Sequence, residues 1–155
     1  MPDYTATIAW KRDGAIFTDN RYSRGHRWKF DGGVEVPASS SPHVVPEPLS
    51  VAAAVDPEEA FVASVSSCHM LWFLAIAAKR GLVIDSYTDD AVGIMGRDPK
   101  GRIVVATVRL QPRVMFGESE VPSREEITSL HDQAHEACYI ANSIRILRSN
   151  GPIRE

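Results

Sequence analysis

The sequence contains two cysteines, Cys68 and Cys138. A thiolate is a nucleophile toward peroxides, disulfides and metals, whereas an ordinary thiol near neutral pH is mostly protonated. Burial among apolar residues raises a thiol pKa further. Thiol chemistry at a buried position therefore needs a fixed cation. Arginine suits this best, being permanently charged and rich in donors. Arg21, Arg24 and Arg27 lie together upstream in the segment RYSRGHR. A buried arginine needs a carboxylate in its turn. Attack on a peroxide leaves a sulfenic acid, which a nearby second thiol traps as a disulfide before it oxidises further. The competing reading of a core cysteine is that it packs as a small hydrophobe.

His69 and His135 join the two cysteines as a conceivable metal set. His135 and Cys138 are three apart and share a helix face. Cys68 and His69 are adjacent, about 100° apart on a helix, which suits one metal poorly. No metal and no cofactor is expected. Trp10, Trp28, Trp72 and Phe73 can line an apolar pocket or fill a core, and Glu136 reads as a solvated helix residue.

The element that must position Cys68 is Asp56–Arg80. Asp56 is a good N-cap, Pro57 suits the first turn, and Glu58 and Glu59 complement the helix dipole. Gly81 follows as a C-cap. Between them lie Phe61, Val62, Val65, Met70, Leu71, Trp72, Phe73, Leu74 and Ile76, apolar on nearly every side. Such a helix has to be buried. The run is close to the minimum for a membrane span. Ser64, Ser66, Ser67 and His69 near its middle are costly in lipid, so it reads as a core helix with no membrane partner.

Cys138 falls in a second expected helix, from Ser123 to about Arg145. Ser123 and Glu126 have the capping-box spacing, and Ile127, Leu130, Ala134, Ala137, Cys138 and Ala141 recur at helical steps. Ahead of the first helix, Tyr4–Lys11 alternates as a strand. Arg27–Phe30 and Val34–Ala38 flank Asp31-Gly32-Gly33, a hairpin signal. Ser39–Val55 reads as an extended connector forming a functional wall or partner contact. Leu82–Arg97 and Arg102–Phe116 read as strands, with Pro112 marking a bulge, edge or end. Gly117–Pro122 reads as a loop, and Ile146–Glu155 as a short strand or a tail.

With 155 residues and a net charge of −3, the chain fits one domain, 1–155, with no phosphate-binding surface and no nucleic-acid partner. The start MPDYTATIAW lacks the pattern of a secretory signal, and two distant cysteines do not make a disulfide scaffold. A cytoplasmic setting is expected. Segregated runs of strands and helices indicate an α+β fold with antiparallel or mixed sheets around a long buried central helix. One face of a small sheet cannot cover that helix, so a second copy is expected on its other side.

Two motifs, DPEEAFVASVSSC at Asp56–Cys68 and AHEAC at Ala134–Cys138, resemble the family of osmotically induced protein C and organic hydroperoxide resistance proteins. The resemblance covers most of the chain. It implies an OsmC-like interlocked homodimer acting as a thiol peroxidase on organic hydroperoxides and, less well, hydrogen peroxide. A dithiol of lipoyl type would be the reductant. Carried over, Cys68 is the peroxidatic cysteine and Cys138 the resolving one. Glu58 holds the catalytic arginine, for which Arg24 fits best and Arg27 second. Glu58 stands ten residues before Cys68, roughly 15 Å along a helix, so either the helix bends or Arg24 bridges the gap, from the same subunit or the other. Tyr139 stands where the family commonly has proline, and Phe17–Trp28 is longer and more aromatic than the usual glycine-rich stretch. The alternative is a non-catalytic dimer of the same fold that binds a small apolar ligand.

Overall fold

In the computed structural model, which describes residues 1–117 and 121–144, the elements follow the α+β order read from the sequence. They are β1 (Ala6–Ala9), β2 (His26–Phe30), β3 (Glu35–Ala38), α1 (Pro57–Lys79), β4 (Ile84–Asp89), β5 (Val92–Arg97), β6 (Ile103–Arg109), β7 (Pro112–Phe116), α2 (Arg124–Ala137) and α3 (Tyr139–Ser143). The chain forms two compact units, Met1–Ala60 and Phe61 onward, with the border inside α1.

In the first unit, β1, β2 and β3 make an antiparallel sheet in that order. The expected hairpin is present. Phe30 N–H donates to Val34 O and Gly33 N–H to Phe30 O, both at 3.0 Å. Gly33 takes φ +86°, which side-chain-bearing residues resist. The connector 39–55 is not an extended run. It returns to β3, with Ser39 N–H donating to Val55 O and Val55 N–H to Pro37 O, each at 3.1 Å. Ser39 is fully buried, its Oγ accepting the Val51 N–H at 3.0 Å. Serine can be buried when its hydroxyl satisfies local backbone, so the serine-rich stretch is a packed loop.

The start of α1 is set by a reciprocal cap. Asp56 Oδ1 accepts Glu59 N–H at 2.8 Å and Glu59 Oε2 accepts Asp56 N–H at 3.2 Å. Gly81, at φ +77°, closes the other end. The helix is not buried all round within one chain. A single stripe is, made of Val65, His69, Phe73 and Ala77, while Leu71 is 62% exposed. Among the described residues α1 is the one helix long and apolar enough, by length and composition, to cross a membrane. Its polar side chains Ser66 and His69 are hydrogen-bonded to Asp89 and His131 of the second unit, ties that suit a core helix.

Each of the two stretches read as single strands is broken in two. β4 pairs with β7 and β5 with β6, all antiparallel, so the chain forms a long hairpin interrupted part-way. At the interruption side chains replace ladder bonds. Asp89 Oδ1 accepts Gln111 N–H at 2.6 Å, and Asp90 pairs with Arg113 at 2.7 Å. Pro112, which has no N–H to give the ladder, opens β7. Phe73 and Ala77 of α1 form the core with Leu130 and Ala134 of α2, flanked by Ile84, Tyr87, Val114 and Phe116.

The capping box at Ser123 and Glu126 opens α2 as expected. The helix then stops at Ala137 and does not continue to Arg145. Arg145, the tail Ile146–Glu155 and residues 118–120 of the expected loop lie outside the described residues. The close approach of β5 to α1 yields a direct test. A Cβ on Gly93 would stand 2.6 Å from Val62 Cγ2, and a valine on a helix has one strongly preferred rotamer. Gly93→Ala is expected to lower unfolding stability in urea by about 1–3 kcal/mol through overpacking. An unchanged midpoint would contradict this packing.

Candidate active site

Cys68 lies mid-way along α1 and is half-buried, whereas Cys138 is 1% exposed. The second cysteine is not inside a helix, as its periodicity suggested. It is the junction of two helices, closing α2 and opening α3. Its backbone is extended, with φ −68° and ψ 110°, and its Sγ accepts the Ala141 N–H at 3.4 Å as the cap of α3. Asn142 Nδ2 donates to Glu136 O at 2.8 Å across the break. Tyr139 therefore occupies the first position of a helix, the place that proline favours.

The two thiols are neighbours. Burial pushes the Cys138 thiol up to about 11, and a hydrogen bond with the Cys68 side chain adds to the shift. A thiol held so high is a poor nucleophile at rest. Trp72, one helical turn beyond Cys68, meets the ring of Tyr139 edge-on at 5.5 Å. The four aromatic residues offered as a pocket are dispersed. Trp10 packs with Phe17 and Tyr22, and Trp28 bonds His26, all in the first unit. Phe73 is buried core in the second.

Of the three arginines, Arg24 is half-buried while Arg21 and Arg27 are exposed. Its guanidinium is bound within its own loop. Nη1 donates to Asn20 O at 3.0 Å and to Tyr22 O, and Nη2 donates to Asn20 Oδ1 at 2.8 Å. It also stands 3.8 Å from the Tyr22 ring centroid, a cation–π distance. The loop carries positive φ at Phe17 and Asn20, conformations that side-chain-bearing residues adopt at a cost. Glu58 is half-buried in the first turn of α1, and the cap uses Glu59, not Glu58. Thus Cys68 and Cys138 are brought together in the second unit, and Arg24 and Glu58 belong to the first.

The family model for OsmC-like protein matches residues 50–147, more than half of the chain. The chain belongs to the OsmC family. It is similar to an OsmC-like protein of unknown function from Vibrio cholerae, at 54% identity and a TM-score of 0.92, over 95% of this chain and 96% of that one. The same fold occurs, at 16% identity and a TM-score of 0.66, in an organic hydroperoxide resistance protein from Legionella pneumophila, over 94% and 90% of the two chains. It occurs again in the organic hydroperoxide resistance protein OhrB of Bacillus subtilis, at 17% identity and a TM-score of 0.60, over 92% and 90%. No curated protein matches this OsmC-family chain.

One partner beside this site, His131, was missed by sequence reasoning, which weighed His69 without it. His69 Nε2 and His131 Nδ1 share a hydrogen bond of 3.0 Å, and the rings lie nearly parallel, 5.3 Å apart. His131 also stacks on Phe73 at 4.5 Å. Both histidines are buried, and the second ring nitrogen of His69 has no partner among the described residues. The signal was available. His131 falls between Ile127, Ala134 and Cys138 at steps of four, three and four, on the core face of α2. Asp89, which accepts Ser66 Oγ and the Gln111 N–H, had no such signal. Among the described residues no three His, Cys, Asp or Glu side chains converge as a metal group, and His135 is exposed.

Burial, and then the nearby His131 and His135, lower the His69 pKa to about 4, against a small opposing pull from Asp89. Burial lowers that of His131 as well. From about pH 6.5 downward the unfolded chain takes up protons that the folded chain refuses. The neutral pair's contribution is therefore complete above about pH 6.5, the ordinary histidine value, and is lost progressively as pH falls toward about 4. Each such imidazole adds a slope of up to about 1.4 kcal/mol per pH unit. His69→Gln is expected to flatten the decline of urea stability between these limits. An identical slope in the variant would show that His69 does not carry it.

Proposed function

We propose that this OsmC-family chain is a cysteine-based peroxidase that reduces organic hydroperoxides and, less well, hydrogen peroxide. The observation that carries the reading is the pairing of a half-buried Cys68 with a fully buried neighbour, Cys138. The division of labour follows from exposure and acidity. Cys68 is the thiol a peroxide can reach. Cys138, with its pKa raised to about 11, waits protonated beside it. The hydroperoxide-resistance role of proteins sharing the fold is in keeping with this chemistry.

In the first step a sulfur lone pair of the Cys68 thiolate attacks the distal peroxide oxygen. The S–O bond forms, the O–O bond breaks, and the alkoxide leaves as alcohol after taking a proton. In the second, the Cys138 sulfur attacks the sulfur of the Cys68 sulfenic acid. An S–S bond forms and hydroxide leaves as water with the Cys138 proton. Two electrons pass from the two thiols to the peroxide, and a dithiol of lipoyl type restores them by exchange. Arg24 supplies the cation that favours thiolate and peroxide binding, and Glu58 is its carboxylate. These two roles rest on the resemblance, with the half-buried Arg24 and a Glu58 free of the helix cap in support. Residues 1–155 act as one OsmC-like domain in a cytoplasmic setting that keeps both thiols reduced.

A homodimer is part of the proposal. The sides of α1 away from the Val65–Ala77 stripe are too apolar to face water, Leu71 above all. Sedimentation at micromolar concentration is expected to show a dimer, and a stable folded monomer would overturn that. For the chemistry, Cys68→Ser is expected to consume no cumene hydroperoxide. Cys138→Ser is expected to consume about one equivalent in a single turnover and then to gain further oxygens at Cys68 under excess peroxide. The reverse pattern would exchange the two roles. Two fully competent variants would remove the peroxidase reading and leave a binding protein.

A further inference from the structure

The buried histidine pair has no part in the peroxide chemistry, yet it lies where the two thiol-bearing helices meet. His69 directly follows Cys68 on α1. His131 precedes Cys138 by two helical turns on the core face of α2. Their 3.0 Å bond is a buried polar tie between the helices, set beside the apolar contacts of Phe73 and Ala77 with Leu130 and Ala134, while the other side-chain bond, Arg80 Nη2 to Ser129 Oγ at 3.5 Å, is exposed and long. An apolar contact of this kind tolerates sliding, because dispersion and burial are non-directional. A hydrogen bond between two rigid rings does not, since it weakens steeply off line. His131 is wedged further, between the His69 ring and Phe73.

We propose that the His69–His131 pair is a positioning device that fixes the register of α2 on α1 and thereby holds Cys138 in reach of Cys68 for disulfide closure. This rests on the reading that these two cysteines form a disulfide. The pair does the job with one proton in the shared bond. Nε2 of His69 and Nδ1 of His131 face each other, so one of them donates and the other accepts. A second proton there would set two donors face to face. The groups that bear on its charge are His131 and His135 from α2, Asp89 from β4, and Asp132 beside His131. Burial outweighs the two carboxylates, and the pair stays neutral near pH 7. The thiols are then held together by a device that carries no charge next to the Cys68 sulfur.

The test must separate positioning from folding. Removing one partner would leave the other buried and unsatisfied, whereas replacing both with apolar groups of like shape is nearly neutral. The full-length double variant H69L/H131F is therefore compared with H69Q/H131N, whose amides can restore a hydrogen bond. The readout is the equilibrium of the Cys68–Cys138 disulfide with dithiothreitol. The apolar pair is expected to weaken disulfide closure about tenfold, and the amide pair to stay within about threefold of the native chain. That tenfold corresponds to 1.4 kcal/mol. A native chain that forms no disulfide under oxidised dithiothreitol would fail the underlying reading, not this one. A native disulfide with an apolar pair that closes equally well would overturn the positioning role. A second measurement needs no variant. Because coupling is reciprocal, disulfide formation should lower the pH at which the histidine ring nitrogens titrate, by about one unit for a tenfold coupling. Nitrogen NMR of the reduced and oxidised native protein reads this, and coincident titrations would overturn the proposal.

Discussion

The contact on which the rest depends is the seat of α2 on α1. Leu130 and Ala134 close on Phe73 and Ala77, all four fully buried. The same two helices bury His69, His131 and, at the end of α2, Cys138. There Cys138 loses nearly all its exposure and its thiol becomes weakly acidic, while two histidines are kept neutral. None of these properties belongs to a side chain by itself. They follow from one helix lying against another, with Ala77 and Ala134 buried in the shared cluster.

The same contact shows what α1 cannot do within a single chain. Its sequence is apolar around the whole circumference, but one stripe of four residues is buried. A helix built this way is under opposing demands. It must carry a thiol to the protein interior, and it must also bury apolar sides that its own sheets do not cover. A second copy answers the second demand in the proposed dimer. The polar ties from Ser66 to Asp89 and from His69 to His131 answer another, by fixing the helix in rotation where apolar contacts alone are indifferent.

Much of this was legible in the sequence wherever a local rule was strong. The turn at Asp31-Gly32-Gly33 needs positive φ, and Gly33 supplies it. Asp56, Pro57 and Gly81 bound α1 within a residue or two of where it begins and ends. Ser123 and Glu126 cap α2 as their spacing demands. The readings that missed were those that rest on side-chain bonds which periodicity does not show, some local and some made across the fold. Periodicity carried the last helix past Cys138, because Ala137, Cys138 and Ala141 continue the helical step. The interruption is local: the Cys138 sulfur caps a new turn, and Asn142 Nδ2 donates back to Glu136 O at the end of α2. Nothing local separates β4 from β5, whose break is held by Gln111 and Arg113 from the opposite side of the hairpin. The connector looked extended because its closing bonds are made to Pro37 and between Ser39 and Val55. The cysteines were found by their rarity. His131 was hidden because a polar residue on a core face is read past when apolar positions are collected.

The central claim is that Cys68 and Cys138 are a single two-electron couple driven by hydroperoxide. The most direct measurement is peptide mapping by mass spectrometry of the reduced native protein, quenched with an alkylating reagent after one equivalent of cumene hydroperoxide. The account predicts one disulfide-linked pair of peptides, containing Cys68 and Cys138, with both thiols lost together. Recovery of both cysteines alkylated, with the peroxide unconsumed, would contradict it.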